Sequence, residues 1–296
     1  MRATDAPPPA RDGASRETGQ RRTPGRGAPA RGMPARGARL APLDRERQAR
    51  IGLALALAIG LAWLANHAAL VWFVDPRARP LETGLRALVQ VWLSVGLFIV
   101  AHDCMHGSLA PGRPGLNAAV GRVVLFLYAG FPWRPLLLKH HAHHRHAGTA
   151  DDPDFDHENP DRPVRWYLAF MSEYLSWRLF GWVTLLATLY SAALVVLHPD
   201  GAWRWLHVFA FWLFPSLLAS IQLFWFGTFL PHRHEAEGGF ADRHNSRSNA
   251  YPTWLSLITC FHFGYHHEHH LAPSVPWWRL PALRRLRAAG PGSAPA

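Results

Sequence analysis

Long apolar segments limit what this chain can fold into. Residues Ile51 to Val74 run for 24 positions without a formally charged side chain, which lets a helix cross a hydrocarbon core of roughly 30 Å. Further candidates cover residues 85–101, 179–198 and 205–230. Inside a bilayer, the backbone polar groups of such a segment are satisfied by a helix. The sequence therefore predicts an all-α integral membrane protein with about four transmembrane helices in two hairpins.

Shorter features lie between and after these segments. Residues 116–131 are apolar but contain Arg122, and prolines follow, so we expect a re-entrant or interfacial helix there. Residues 75–82 contain two prolines and are expected to form the loop between the first two spans. Near the C-terminus, Trp277 and Trp278 stand beside four arginines, a combination typical of an interfacial anchor.

The charge distribution predicts an orientation. The formal net charge is +11, and 12 of the 31 basic residues lie in residues 1–50. Most others flank apolar segments, and no recognition module for nucleic acid accompanies them, so we do not expect nucleic-acid binding. Four spans place both termini on one side, which then carries 27 Lys and Arg residues, whereas the two opposite loops carry three. The excess predicts that both termini are cytoplasmic.

The composition also divides the chain. Residues 1–50 have almost no large apolar side chains and are rich in Arg, Ala, Pro and Gly, so we expect a disordered basic tail. A membrane domain is expected over residues 51–285 and a flexible tail over 286–296. Cys104 and Cys260 are the only cysteines, which excludes a disulfide framework. We expect both to be small, partly buried side chains.

Three histidine clusters stand beside the apolar segments. They span residues 102–106, 140–144 and 266–270, with the patterns H-x3-H, H-x2-H-H and H-x2-H-H. On a helix, positions i, i+3 and i+4 share a face, so each cluster aims two or three imidazoles at one point. Neutral imidazole is the commonest side-chain ligand for transition metals. Eight converging histidines predict a site for more than one ion, on the cytoplasmic face.

Ligand type alone allows iron, zinc, copper or nickel. Structural zinc takes four ligands and catalytic zinc commonly three. Eight histidines exceed both numbers, so they favour a pair of ions with open positions. Such a pair points to oxygen activation by non-haem iron. Asp103 and Glu268 adjoin cluster histidines and either orient them as hydrogen-bond acceptors or are ordinary solvated charges. A histidine-rich metal transporter is the alternative from another class. It predicts polar residues deep in the spans, and the four spans offer few.

The clusters and their flanking strings resemble the membrane fatty-acid desaturase and hydroxylase superfamily of di-iron oxygenases. More narrowly, they are similar to bacterial β-carotene ketolases. The strings are HDCMHGSLAP (102–111), LYAGFPW (127–133), KHHAHHRH (139–146), GTADDPDF (148–155), FGTFLPHR (226–233) and FHFGYHHEHHL (261–271). The resemblance covers about residues 50–285. It implies a multi-pass protein of the bacterial inner membrane whose cytoplasmic helical region holds a di-iron site.

The resemblance also implies ligand roles. It assigns two iron ions (Fe²⁺), with O₂ as cosubstrate, to nine histidines: His102, His106, His140, His143, His144, His232, His266, His269 and His270. In related desaturases, a polar residue one helical turn before the histidine that corresponds to His232 holds a bound water; this chain departs from that pattern and has Thr228 there. Outside the ligand set are His141, His146, His157, His234, His262 and His267.

The implied activity is conversion of the C4 methylene of a β-ionone ring into a ketone, giving echinenone and canthaxanthin, and astaxanthin from hydroxylated carotenoids. The allylic C–H bond there is weak enough for an iron–oxygen oxidant. Each turnover consumes two electrons, and the sequence has no flavin or haem motif, so ferredoxin with its reductase is the expected donor. The other partners are β-ring carotenoids and the lipid bilayer. Rivals within the superfamily are a carotenoid hydroxylase and a fatty-acyl desaturase.

Overall fold

The described part of the chain is helical throughout. The computed structural model describes residues 40–234, 240 and 242–289, and these contain no β-strand. Four helices in this part are long and apolar enough to cross a membrane: α1 (Arg45–Phe73), α2 (Pro80–His106), α6 (Trp177–Leu197) and α7 (Trp205–His232). The other α-helices in this part are α3 (Pro114–Ala129), α4 (Trp133–His146), α5 (Pro163–Tyr174), α8 (Thr253–Cys260), α9 (His266–Leu271) and α10 (Leu280–Ala288). The prediction of an all-α protein with about four membrane-capable helices is confirmed.

The first helical pair begins and ends at specific local signals. The Asp44 side chain accepts a hydrogen bond from the Arg47 backbone N–H at 3.0 Å and caps α1. Helix α2 starts at Pro80, where a proline costs no helical hydrogen bond. It ends where Gly107 adopts φ 68°, a left-handed conformation that suits glycine. The chain thus reverses over residues 74–79. The loop expected over residues 75–82 is shorter than predicted, because residues 80–82 belong to the first turn of α2.

The first and last described helices extend into the stretches expected to be tails. Helix α1 begins at Arg45, so residues 45–50 of the stretch expected to be disordered are helical. Residues 1–39 lie outside the described residues. Helix α10 continues to Ala288, past the expected boundary at residue 285, and residues 290–296 lie outside the description.

Helices α3 and α4 form a sharply bent pair. The two axes meet at 101°, and the bend follows Gly130, which has φ 68°. The Trp182 indole donates a hydrogen bond to the Gly130 carbonyl at 3.2 Å, fixing the bend against α6. A Cβ at Gly130 would lie 2.8 Å from a Leu186 methyl group. The stretch expected to be re-entrant or interfacial is therefore α3, and the bend directs α4 across the end of α2.

The main core lies between α1, α2, α3 and α7. Between α1 and α2, the Trp63 indole donates to the Ser94 hydroxyl at 3.0 Å, and the Asn66 amide donates to Gln90 at 2.8 Å. The ring nitrogens of His67 lie 3.2 Å from the Phe211 carbonyl oxygen and 3.2 Å from the Tyr190 hydroxyl. His67 therefore contacts α6 and α7.

The C-terminal segment packs onto the protein. The Trp277 ring is buried and lies 5.4 Å from the Phe261 ring, and its backbone N–H donates to the Asp103 carboxylate at 3.2 Å. Leu280 and Leu283 on α10 are buried as well. An interfacial anchor would expose these apolar groups to lipid, so the interpretation of Trp277 as an anchor is wrong.

Candidate metal centre

All nine histidines predicted as ligands converge at one end of the helices. Helix α2 contributes two at its C-terminal end, α4 three, α7 one and α9 three. They form two groups, within each of which the nitrogens available to a metal lie within 4.8 Å of one another. The first group is His102, His106, His140, His144 and His269; the second is His143, His232, His266 and His270. The groups are in contact, because the rings of His144 and His270 stack at 4.3 Å.

The spacing within each group suits a shared ion. Two nitrogens bound to one ion at about 2.1 Å and roughly at right angles lie about 3 Å apart. The Nε2–Nε2 distances are 2.6 Å for His106–His140, 3.0 Å for His144–His269, 2.9 Å for His266–His270 and 3.2 Å for His143–His270. Each group therefore has the dimensions of a mononuclear histidine site.

Two nitrogens at the centre lack a protein partner. The Nε2 atoms of His102 and His232 are buried and make no hydrogen bond among the described residues. A buried polar atom without a partner is costly, and a metal ion would satisfy each one. The residues present therefore fit a metal.

Burial also favours the metal-binding form of the imidazoles on α9. It lowers the pKa of His266, His269 and His270 well below the ordinary value, and the neighbouring imidazoles lower it further. These rings are therefore neutral near pH 7, and a neutral ring has a lone pair to offer a cation.

A local distortion of α7 precedes His232. Residues Trp225–Phe229 form a π-helical segment, a feature frequent at functional sites. Within it, a Cβ at Gly227 would lie 2.4 Å from two carbons of the Phe263 ring, so glycine permits the close approach. Phe263 in turn contacts the His102 ring at 4.6 Å between centroids. The Nδ1 of His232 lies 2.7 Å from the Asn245 carbonyl, which orients its Nε2 toward the second group.

A large apolar cavity ends at the histidines. Its volume is about 780 Å³, and His102, His140, His143 and His266 form one end of it. One face of α6 lines it from Phe180 to Val195, which is roughly 22 Å of helix axis. In the wall, the Thr184 and Thr188 hydroxyls donate to the carbonyl one turn earlier on α6. The cavity thus offers a long hydrocarbon a path to the candidate metal centre.

Comparisons with known proteins show which family this chain resembles. The fatty acid desaturase family model matches residues 83–295. A β-carotene ketolase from Paracoccus sp. (strain N81106 / MBIC 01143) is 56% identical over 226 residues, which cover 75% of this chain and 88% of that protein. A second, from Paracoccus sp. (strain PC1), is 53% identical over 236 residues, covering 79% and 93%. A third, from Haematococcus lacustris, is 34% identical over 239 residues, covering 78% and 71%.

This chain belongs to the fatty acid desaturase family. The resemblance to bacterial β-carotene ketolases drawn from the histidine clusters and flanking strings is confirmed. In this family member the nine predicted ligands stand together, and the six histidines left out of the set lie in neither group. One of the six, His141, instead places its Nε2 3.0 Å from the Met105 carbonyl oxygen.

The three predicted supporting residues lie near the centre but do not hydrogen-bond to ligand imidazoles. The Asp103 carboxylate is 3.9 Å from the His102 Nδ1, beyond hydrogen-bonding distance, and accepts from the Trp277 backbone. Glu268 accepts a hydrogen bond from the Ser248 hydroxyl and lies 3.4 Å from the Arg284 guanidinium. Thr228 is buried and lines the cavity beside the histidines. Asp103 and Glu268 thus attach neighbouring segments to α2 and α9.

A side chain that orients a predicted ligand is Asp152, which was not predicted from the sequence. Its carboxylate oxygens lie 2.9 and 3.0 Å from the His143 Nδ1. It also accepts from the backbone N–H groups of Gly148 and Asp154 at 2.8 and 2.9 Å. Burial alone would raise the pKa of Asp152, but the facing His143 and these donors hold it below the ordinary value. The carboxylate therefore fixes the His143 ring with its Nε2 toward the second group.

We expect the substitution Asp152→Asn to weaken metal retention by about 10- to 100-fold, because His143 loses a charged acceptor that fixes its ring. The measurement is the metal content of the purified protein after competition with a graded chelator. Asp151→Asn is the matched control, since Asp151 is the exposed preceding residue. Equal metal loss in the two variants would contradict an orienting role for Asp152.

Proposed function

We propose that this chain is a β-carotene 4-ketolase, an oxygenase that converts the C4 methylene of β-ionone rings to a ketone. The observation that carries the proposal is the 56% identity to a β-carotene ketolase across 88% of that protein's length. The cavity adds a physical reason, because a long apolar space ending at nine histidines fits a long apolar substrate oxidised at its end. The products expected from β-carotene are echinenone and then canthaxanthin, with astaxanthin from 3-hydroxylated carotenoids.

The two histidine groups would hold two iron ions, one in each group. Iron bound there would supply activation of O₂ for insertion of oxygen into a C–H bond. The chain's own residues hold the nine imidazoles in place: α2 and α7 by their packing in the core, and His143 and His232 through Asp152 and the Asn245 carbonyl.

The cavity positions the substrate and excludes water. A β-ionone ring that enters along α6 and α7 meets the histidines at its leading edge, with Phe263 and Met105 beside it. The rigid polyene behind it fills the apolar length, so the ring has few orientations and C4 faces the centre. Thr228 and His266 both line this wall, and we propose that the Thr228 hydroxyl holds a bound water there.

The overall reaction balances as two oxygenations and one dehydration. In each oxygenation, one C–H bond becomes C–OH while O₂, two electrons and two protons yield one water. The second gives a geminal diol, which loses water to leave the C=O group. Four electrons per ketone come from an external donor, which we propose to be ferredoxin with its reductase. We further propose that the protein is multi-pass in the bacterial inner membrane, with its termini and the histidines cytoplasmic.

Expression of the chain in a β-carotene-producing bacterium tests the proposed function. Pigment analysis by chromatography and mass spectrometry should show echinenone and canthaxanthin, dependent on aeration. A strain with the same vector and no insert is the control. Hydroxylated carotenoid or newly unsaturated acyl chains without any ketone would indicate a hydroxylase or a desaturase instead.

A further inference from the structure

Charged side chains are exposed on two segments that adjoin the elements of the candidate metal centre. On the His143 side, the loop that carries Asp152 exposes Asp151, Glu158 and Asp161. On the α9 side, helix α10 exposes Arg285 and Arg287. An acidic protein approaching the histidines is therefore attracted at the α10 surface.

Helix α10 is held with Arg285 and Arg287 outward. Leu280, Pro281 and Leu283 are buried against the protein. A helix that lies on a membrane needs that apolar face for the lipid, and here the protein already covers it. The exposed positive face of α10 is therefore better suited to an acidic protein than to a bilayer.

Helix α10 also lies directly on the helix that carries three of the candidate ligands. The Arg284 guanidinium is 4.9 Å from the centroid of the Tyr265 ring and 3.4 Å from the Glu268 carboxylate. Tyr265 precedes His266 in the chain, and Glu268 precedes His269. Burial lowers the pKa of His262 to about 4, and the nearby charge of Arg285 contributes to the lowering. Helix α10 thus contacts α9 through Arg284, and the histidines of α9 belong to both groups.

We propose that the exposed face of α10, with Arg285 and Arg287 at its centre, is the docking surface for an acidic soluble one-electron carrier of the ferredoxin class. The inference rests on the proposed function, because an oxygenase needs electrons from such a carrier. Opposite charges steer the encounter and fix its orientation. Electrons would then enter through α9, which supplies ligands to both groups.

The test uses the full chain purified in lipid nanodiscs, with an acidic [2Fe–2S] ferredoxin, its reductase and NADPH. The double substitution Arg285→Glu with Arg287→Glu should raise the KM for ferredoxin by about tenfold or more at low salt, while saturating ferredoxin recovers the rate. Added salt should weaken ferredoxin binding to the wild type more than to this variant. The matched control is Arg162→Glu with Arg165→Glu, which makes the same change in net charge at two exposed arginines of α5 and should leave the KM unchanged.

Several outcomes would overturn the docking surface. An unchanged KM for the α10 variant would do so, as would equal increases in the two variants, since net charge alone would then matter. A lower rate at saturating ferredoxin with an unchanged KM would indicate a structural role. Weaker binding of the α10 variant to vesicles of anionic phosphatidylglycerol, with ferredoxin binding intact, would assign the face to lipid. If the wild type formed no ketone, the proposed function would fail, whereas direct ferredoxin binding to the two variants would still test the surface.

Discussion

Replacing His232 by alanine is expected to abolish ketone formation, with a loss well above about 100-fold, because a direct ligand matters more than its orienting neighbours. His232 lies outside the three clusters, yet its ring is 4.9 Å from the His143 ring and 4.8 Å from the His266 ring. The second group has four histidines, so the variant leaves three. We expect iron bound by that group to be lost, while iron in the first group is retained.

His234→Ala is the control for this substitution. His234 is exposed and stacks on Phe155 at 5.3 Å, and it lies in neither histidine group. The measurement is iron per chain by mass spectrometry, together with ketone formed per chain. Full iron content and activity in the His232 variant would remove His232 from the ligand set and leave eight histidines to share the ions.

The second large effect concerns the cavity. Ala192→Trp is expected to reduce ketone formation from β-carotene by about tenfold or more, which corresponds to about 1.4 kcal/mol of lost binding. Ala192 lies on the face of α6 that lines the cavity, in the part of the cavity that is remote from the histidines. An indole there fills the space that the polyene needs, so the ring cannot reach the centre. Iron content should not change, because no ligand moves.

Ala193→Trp is the matched control for the cavity. Ala193 is the next residue of α6 and is exposed, but it does not line the cavity. Its variant should keep the wild-type rate and the same amount of protein in the membrane. Equal activities of the two tryptophan variants would mean that the substrate reaches the histidines by another route.

Segment length predicted most of the fold, and residue spacing predicted most of the histidine site. The lengths of the apolar segments predicted the four membrane-capable helices, because a bilayer demands about 20 apolar residues per span. The i, i+3, i+4 spacing predicted that each cluster faces one point. The division of the nine histidines between two groups was not predictable in this way. His269 and His270 are adjacent in sequence but belong to different groups, because the groups are set by how α9 crosses α2 and α4.

Residues that act through tertiary contacts were harder to assign. Asp152 lies in an acidic run typical of a solvated loop, and only the fold of that loop brings it to His143. Asp103 and Glu268 adjoin predicted ligands in sequence, but on a helix neighbouring side chains point in different directions. The Asn245 carbonyl that orients His232 is a backbone group, and it leaves no signal in the residue type. Trp277 looked like a lipid anchor because its neighbours are basic, whereas its ring fills the core.

Iron titration of the metal-free protein tests the central claim most directly. The protein would be stripped with a chelator in nanodiscs, given measured amounts of Fe²⁺, and supplied with β-carotene, O₂ and reduced ferredoxin. We predict that the rate of ketone formation rises with iron and levels off at two ions per chain, one for each histidine group, and that Zn²⁺ in the same amounts gives no ketone. A plateau at one iron per chain, or equal ketone formation with zinc, would contradict the assignment of this chain as a di-iron ketolase.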